Sequence, residues 1–107
     1  MIVKATEHFK IEAKPLLKKY PSLLDDIEQL IDSLMINPEQ GVPLGQNCFK
    51  IRLAIKSKGK GKSGGARIIT CVKIVDDTAY LLTIYDKGNQ TSISKKEIKI
   101  LLKEFKK

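Results

Sequence analysis

The spacing of apolar residues changes between Pro38 and Phe49, and this change limits the possible folds more than any other feature of the sequence. Before it, two segments carry apolar residues every three to four positions, as amphipathic helices do. After it, apolar and polar residues alternate until about residue 86, as in half-buried strands. A final segment returns to the helical spacing. The 107 residues therefore predict one α+β domain over residues 1–107.

Prolines mark the ends of the two early helices. Residues 2–6 are predicted to form a first strand, and a helix follows that ends at Tyr20, because the residue before Pro21 is pushed out of the helical region. Ser22 is predicted as the N-cap of the second helix, which ends at Asn37. The short connection between these helices predicts an antiparallel hairpin.

Three alternating segments follow the hairpin and predict antiparallel strands, because the connections between them are short. They cover residues 49–56, residues 66–74 and residues 79–86. Ser94 and Glu97 then form a capping box that begins a last helix. The predicted order is β-α-α-β-β-β-α, with the helix hairpin on one face of a small, mostly antiparallel sheet and the other face open.

Positive charge is concentrated in one stretch of the chain. The formal net charge is +8 at pH 7, and residues 40–75 contain no Asp or Glu. A local field of one sign favours a polyanionic partner, with nucleic acid first and an acidic membrane surface second. A solvated, lysine-rich face explains the charge equally well. The cations of this stretch are Lys50, Arg52, Lys56, Lys58, Lys60, Lys62, Arg67 and Lys73.

Strand alternation predicts which polar side chains meet on the open face. On the last strand, Tyr80, Leu82 and Ile84 are predicted to face the helices, which leaves the intervening side chains on the other side. Cations on that side hold phosphates, and a tyrosine there stacks on bases. Taken alone, Tyr85 is more typical of an amphipathic tyrosine at a sheet edge. The open face is predicted to carry Lys50, Arg52, Arg67, Tyr85 and Lys87, with no carboxylate.

Other chemistries lack the residues that they need. The Gly-Lys-Ser run at residues 61–63 ends like a phosphate-binding loop, but Lys56 stands where that motif needs glycine and a strand follows it. His8 is the only histidine, and Cys48 and Cys71 lack zinc-motif spacing, so we expect no metal and no small-molecule cofactor. Both cysteines are predicted to be buried and reduced, as in the cytoplasm. We expect no membrane helix and no signal peptide.

Cleavage without metal or histidine is chemically feasible on RNA, because the 2′-hydroxyl is an internal nucleophile. The protein then has to remove its proton, stabilise the added charge on the phosphate and protonate the leaving oxygen. Arg and Lys supply the charge stabilisation. A lysine crowded by other cations has a lowered pKa and can transfer a proton. The spacing does not say which residue has which role.

Five segments share a pattern with a known family. They are the FKIRL run at residues 49–53, the lysine–glycine loop after it, SGGARII at residues 63–69, YLLTIYDK at residues 80–87 and KKYPSL at residues 18–23. Together they resemble the RelE/ParE toxin superfamily, in particular its HigB-like branch, over nearly the whole chain. The resemblance implies a cytoplasmic toxin that cuts mRNA, usually in the ribosomal decoding site, and that a cognate antitoxin neutralises.

The resemblance also implies roles for single residues. Lys50 and Arg52 match a basic pair on one strand of the family, Arg67 matches an arginine, and Lys87 matches a further basic residue. In the family, the residues at all of these positions contact or act on the scissile phosphate. RelE has a functional tyrosine near its C-terminus that this chain lacks at residues 91–93, which leaves Tyr85 as the candidate. The predicted catalytic residues are Arg67, Lys87, Arg52, Lys50 and Tyr85. The predicted RNA-binding residues are Lys56, Lys58, Lys60, Lys62 and Lys73.

Two other functions stay open at this point. A ParE-like inhibitor of DNA gyrase shares the fold but binds protein instead of cutting RNA, and it has no need of cations at these strand positions. A non-catalytic RNA-binding remnant, such as an inactivated toxin, keeps the cations without the chemistry. The sequence names neither the codon preference nor the antitoxin, and it leaves open whether the last helix stays packed when the antitoxin binds.

Overall fold

The protein folds into a five-stranded sheet with helices on both faces, in a computed structural model that describes residues 1–59, 61, 64–88 and 92–105. The elements are β1 (Ile2–Ala5), α1 (Glu7–Lys19), α2 (Leu23–Ile36), β2 (Val42–Gly45), β3 (Cys48–Leu53), a 3₁₀ turn (Lys56–Lys58), β4 (Ala66–Lys73), β5 (Thr78–Asp86) and α3 (Lys95–Phe105). The strand order is β1-β5-β4-β3-β2, with β1 parallel to β5 and the other neighbours antiparallel. The predicted α+β class is confirmed. None of the described helices is long and apolar enough to cross a membrane.

The sheet contains one strand more than the sequence predicts. β2 forms an edge of the sheet and pairs with β3, with Val42 opposite Lys50. It is short and contains Pro43, which lacks an N–H group and is tolerated in sheets mainly at an edge. A Cβ atom on Gly41 would lie 2.6 Å from the carbonyl oxygen of Lys50, so glycine lets the chain approach β3 here. The segment therefore has the composition of a loop although it pairs as a strand.

The α1–α2 hairpin packs on one face of the sheet, as predicted. Thr6 caps α1, because its side-chain oxygen accepts a hydrogen bond of 3.1 Å from the backbone N–H of Phe9. Each large apolar side chain buried here contributes roughly 1.5–3 kcal/mol. We call this cluster the first core. Its buried members are Phe9, Ala13, Tyr20, Leu23, Ile27, Leu30, Leu34, Ile51, Ile55, Ala66, Ile68, Leu81 and Ile84.

The opposite face is not open, and this part of the prediction is wrong. α3 lies on it and packs Ile98 and Leu102 against Cys48, Ile69 and Leu82. We call this cluster the second core. α3 carries an apolar stripe that has to be buried, and the α1–α2 hairpin already covers the first face. The last helix is therefore part of the surface on which the cations were expected to lie open.

The predicted helix starts are confirmed in position. The backbone N–H of Glu97 donates to the Ser94 hydroxyl at 3.1 Å, which is one of the two bonds of the predicted capping box. The Ser94 hydroxyl in turn donates to the Glu97 carboxylate at 3.2 Å. Ser22 occupies the N-cap position of α2 but makes no capping hydrogen bond. Its hydroxyl instead bonds to Asp26 and Ser57, which ties the start of α2 to the 3₁₀ turn.

A bulge in β5 changes which of its side chains face the hairpin. Thr83 and Leu81 are paired with neighbouring residues of β4, so Leu82 between them has no partner of its own. Leu81 packs in the first core, whereas Leu82 and Tyr80 lie with the second core. The predicted direction of Tyr80 and Leu82 is therefore wrong. Strict alternation fails wherever the register shifts.

The two cysteines are buried and are not joined by a disulfide, as predicted, and the sheet brings them together. Cys48 of β3 and Cys71 of β4 are directly opposite in the register, and both belong to the second core. Both sulfur atoms approach the carbonyl oxygen of Gln46, at 3.6 and 4.0 Å. Because they are far apart in the sequence, their proximity could be recognised only from the register of β3 and β4.

Candidate functional site

Three neighbouring strands bring most of the predicted catalytic residues together. Arg67 of β4 is directly opposite Arg52 of β3 on one side and Tyr85 of β5 on the other. Lys50 is on the same face of β3, two positions before Arg52, where it is opposite Ile69. Residues that are directly opposite have Cβ atoms about 4.5–5.5 Å apart and share a face. We call Arg52, Arg67 and Tyr85, which are directly opposite one another, the Arg52–Arg67–Tyr85 row. This row lies on the face that α3 covers.

Burial differs sharply along this row. Arg52 is exposed and Lys50 is half-buried, whereas Arg67 is only 5% exposed. One guanidinium nitrogen of Arg67 donates to the carbonyl oxygen of Ala66 at 3.2 Å. A buried charge is tolerated only with hydrogen-bonded or charged partners, which also hold it in one direction. The row therefore places the exposed Arg52 beside the buried guanidinium of Arg67, with the half-buried Lys50 next to the row on β3.

Tyr85 completes the row with an unusual hydroxyl group. Its side chain is buried, and the hydroxyl oxygen has no hydrogen-bond partner among the described residues. Burial raises the pKa of Tyr85, the charge of Glu97 raises it further, and Arg67 opposes both. The hydroxyl is therefore protonated at neutral pH and able to donate a hydrogen bond. A buried hydroxyl without a partner costs about 1–3 kcal/mol, so the site holds an unused donor at some cost in stability.

A cavity of about 300 Å³ lies beside Tyr85, between α1, β5 and α3. His8 and Glu12 of α1 contribute to its wall, together with Glu97 and Leu101 of α3. The expectation that this face has no carboxylate is wrong, because Glu97 belongs to a helix that strand alternation could not place there. Within the described ranges, no group of three or more His, Cys, Asp or Glu side chains is arranged to hold a metal ion.

Lys87 lies just beyond the end of β5. Its backbone N–H donates to the carbonyl oxygen of Gly65 at 3.0 Å, and its side chain is half-buried. A Cβ atom on Gly65 would overlap the carbonyl oxygen of Leu53, so only glycine lets the loop return so closely to β3. This bond joins the segment after β5 to the segment just before Arg67.

The predicted RNA-binding lysines do not form one group in the structure. Lys56 is exposed in the 3₁₀ turn, whereas the ammonium of Lys58 is 2.6 Å from a carboxylate oxygen of Asp86. Lys73 lies at the far end of β4, about 20 Å along the strand from Arg67, with its ammonium 5.9 Å from the ring centre of Tyr80. Lys60 and Lys62 lie outside the described residues.

Sequence reasoning missed Asp86 and Tyr20. The Tyr20 hydroxyl donates to one oxygen of Asp86 at 2.6 Å, and Lys58 and the backbone N–H of Gly88 donate to the other at 2.6 and 2.9 Å. Burial alone would raise the pKa of Asp86, but the hydrogen bonds from Lys58, Tyr20 and Gly88 lower it to about 2. The hydrogen bond to Asp86 raises the pKa of Lys58, against the effect of burial. No spacing signal links residues so far apart in the chain.

Two comparisons with known proteins bear on this geometry. The family model described as the RelE toxin of the RelE/RelB toxin–antitoxin system matches residues 5–107. Among solved structures, the chain is similar to the Escherichia coli toxin RelE in the free state, in a mutant with two arginines replaced by alanine. The TM-score is 0.61 at 12% sequence identity, and the match covers 96% of this chain and 95% of that chain. At this identity, the structural likeness shows the fold alone.

Proposed function

The chain belongs to the RelE toxin family of toxin–antitoxin systems, and from this premise we propose that it is an endoribonuclease that cuts messenger RNA on the ribosome. Membership in the family implies a cognate antitoxin as a partner. The observation that carries the proposal is the Arg52–Arg67–Tyr85 row, in which a buried guanidinium stands between an accessible cation and a protonated tyrosine. This combination suits a phosphodiester better than a protein surface, and so disfavours gyrase inhibition.

The proposed reaction is an internal attack on the scissile phosphate. A base takes the proton of the 2′-hydroxyl, the 2′-oxygen bonds to phosphorus, and the bond from phosphorus to the 5′-oxygen breaks. The leaving 5′-oxygen then receives a proton. The products are a 5′-hydroxyl end and a 2′,3′-cyclic phosphate, which water can open to a 3′-phosphate.

The roles follow from burial and charge. Arg67 is held in a fixed direction and stabilises the extra negative charge on the phosphate, which is the largest contribution expected from one donor. Arg52 and Lys50 hold neighbouring phosphates from the accessible side. Lys87 transfers a proton at the end of β5. Tyr85 donates its hydroxyl or stacks on a base. Because Arg67 and Tyr85 are both buried, α3 has to shift before RNA reaches either side chain.

The remaining cations contribute affinity without reading bases, because phosphate contacts carry no sequence information. Lys56 is exposed and available for this purpose. If the exposed cations neutralise about four phosphates, log affinity falls with log salt concentration at a slope of roughly −3 for single-stranded RNA. An affinity that does not depend on salt would contradict this part of the proposal.

Primer extension on a reporter transcript tests the proposal in cells. After induction of the protein, we expect growth arrest together with new mRNA ends within the coding region, and co-expression of the cognate antitoxin should abolish both. Cleavage by purified protein and ribosomes should also persist in EDTA at concentrations that the ribosomes tolerate. Growth arrest with DNA damage and intact mRNA would instead indicate gyrase inhibition.

A further inference from the structure

One buried carboxylate joins three separate segments of the protein. Asp86, at the end of β5, is 4% exposed. It accepts hydrogen bonds from Tyr20 after α1, from Lys58 in the 3₁₀ turn and from the backbone of Gly88. These three donors come from parts of the chain that share no secondary structure. We call Asp86, Lys58 and Tyr20 the Asp86 cluster.

The cluster has the geometry of a strong, fully satisfied interaction. Both side-chain donors lie 2.6 Å from the carboxylate, one on each oxygen, and the Lys58 ammonium is also 5.5 Å from the ring centre of Tyr20. Charge-assisted hydrogen bonds are shorter and about twice as strong as neutral ones. These directional bonds tie the end of α1 and the 3₁₀ turn to the end of β5.

Stability alone is a weak reason for such a cluster. Replacing a buried ion pair by well-packed apolar residues is often neutral or stabilising, so an ion pair is better explained by the geometry that it imposes. That geometry bears on the candidate site directly. Asp86 precedes Lys87, and its partner in the register is Ala66, the neighbour of Arg67. The backbone N–H of Lys87 in turn bonds to Gly65.

We infer that Asp86, held by Lys58 and Tyr20, is a positioning residue that keeps the segment after β5 in place, so that the Lys87 ammonium meets the scissile phosphate beside Arg67. The inference rests on the proposed function, and it gives Lys58 a role through Asp86 in place of a direct contact with RNA. A change far from the chemistry that displaces a reacting group by about 1 Å can cost about 10²-fold in rate, so the cluster affects the rate without touching the substrate.

Substitutions at Lys58 separate positioning from folding. Lys58→Met keeps the length of the side chain and removes the ion pair, and we expect kcat to fall about 10- to 100-fold with KM nearly unchanged, at a temperature well below the melting point. Lys58→Arg can still donate to Asp86 and should recover most of kcat. The matched control is Lys10→Met, which removes an exposed ion pair with Glu7 and should leave kcat unchanged.

Amide hydrogen exchange provides a second measurement of the positioning effect, and this measurement does not depend on activity. In Lys58→Met, the amides of Lys87 and Gly88 should exchange at least about tenfold faster, because their acceptors are no longer held, while amides in the middle of β5 stay protected. Tyr20→Phe, which removes one donor, should give a smaller change in the same direction. A uniform change along β5 would show global destabilisation and would overturn the inference.

The outcomes for this inference and for the proposed function are distinguishable. If the wild type cuts RNA, and Lys58→Met has the same kcat and the same exchange at Lys87, the inference is wrong while the proposed function stands. If the wild type cuts no RNA under any condition, the proposed function is wrong and the inference falls with it. A fall in kcat that Lys58→Arg does not recover would also overturn the inference, because a guanidinium can replace the ammonium as a donor.

Discussion

The two faces of the sheet differ in what their side chains do. The face under the α1–α2 hairpin is mainly apolar and packs against the two helices; its buried polar groups are Thr70 in β4 and the Asp86 cluster at the end of β5. The face under α3 is divided. Around Cys48 and Leu82 it packs against the helix, whereas farther along it carries the buried charge of Arg67 and the Tyr85 hydroxyl, which has no partner among the described residues. Buried polar groups weaken a fold unless they are fully bonded. The two faces therefore differ chiefly in the buried charge of Arg67, and under the proposed function the second face gives up some stability for chemistry.

Two adjacent isoleucines of β4 offer the most direct way to break this comparison. Ile68 faces the first core and Ile69 the second, and both are fully buried. Ile68→Ala and Ile69→Ala should each lower the free energy of unfolding by about 2–5 kcal/mol, measured by urea titration. Only Ile69→Ala should also lower kcat, because Ile69 lies beside Lys50 and between Arg67 and Cys71. Equal effects of the two substitutions on kcat would remove the distinction between the faces.

Removal of the buried guanidinium should have the largest effect on cleavage. Arg67→Ala is expected to lower kcat about 10²–10³-fold, since it deletes a fixed donor for the phosphate charge. Arg67→Lys should recover only part of this loss, because lysine lacks the planar fork of donors. Single-turnover cleavage of a model mRNA on ribosomes measures both. A folded Arg67→Ala variant that cuts at the wild-type rate would contradict the proposed role.

Acid should weaken the Asp86 cluster, which lies on the hairpin face at the end of β5. The folded-state pKa of Asp86 is about 2, below its ordinary value, so its contribution is present above about pH 4 and is lost as the pH falls toward 2. One pKa unit corresponds to about 1.4 kcal/mol, so the contribution is about 2 kcal/mol. Asp86→Asn should make the free energy of unfolding depend less on pH in this range. Identical pH dependence in both proteins would show that Asp86 is not held as described.

Tyr85→Phe should have the smallest effect on stability. It tests the difference between the two faces at one atom, the hydroxyl oxygen of Tyr85. Because the Tyr85 hydroxyl has no partner among the described residues, its removal should leave the free energy of unfolding unchanged or raise it by about 1 kcal/mol. If the hydroxyl donates to RNA, kcat falls although the protein is no less stable. A marked loss of stability in Tyr85→Phe would mean that the hydroxyl is bonded in the folded protein.

Local signals were sufficient for much of the fold. Proline and capping residues predicted the helix ends, and alternation predicted three of the strands, because these features depend on neighbours in the chain. β2 was missed since a four-residue edge strand with a proline has the composition of a loop. The position of α3 was also missed, because an apolar stripe says that a helix packs but not on which surface.

The candidate site was predictable only where alternation holds. Arg52, Arg67 and Tyr85 were expected on one face, and the register puts them there, since the bulge at Leu82 lies outside their row. Tyr80, on the other side of the bulge, was assigned to the wrong face. The bond between Tyr20 and Asp86 joins residues 66 positions apart, which no local pattern reveals.

Cleavage of a substrate with a single 2′-deoxynucleotide at the cut site tests the central claim most directly. The claim is that the Arg52–Arg67–Tyr85 row assists attack by the 2′-hydroxyl of RNA itself. Removing that hydroxyl removes the nucleophile while leaving the phosphate contacts intact. We predict that the 2′-deoxy substrate binds as well as the all-RNA substrate and resists cleavage, and that the all-RNA products end in a 2′,3′-cyclic phosphate or a 3′-phosphate. Equal cleavage of the two substrates would contradict the account.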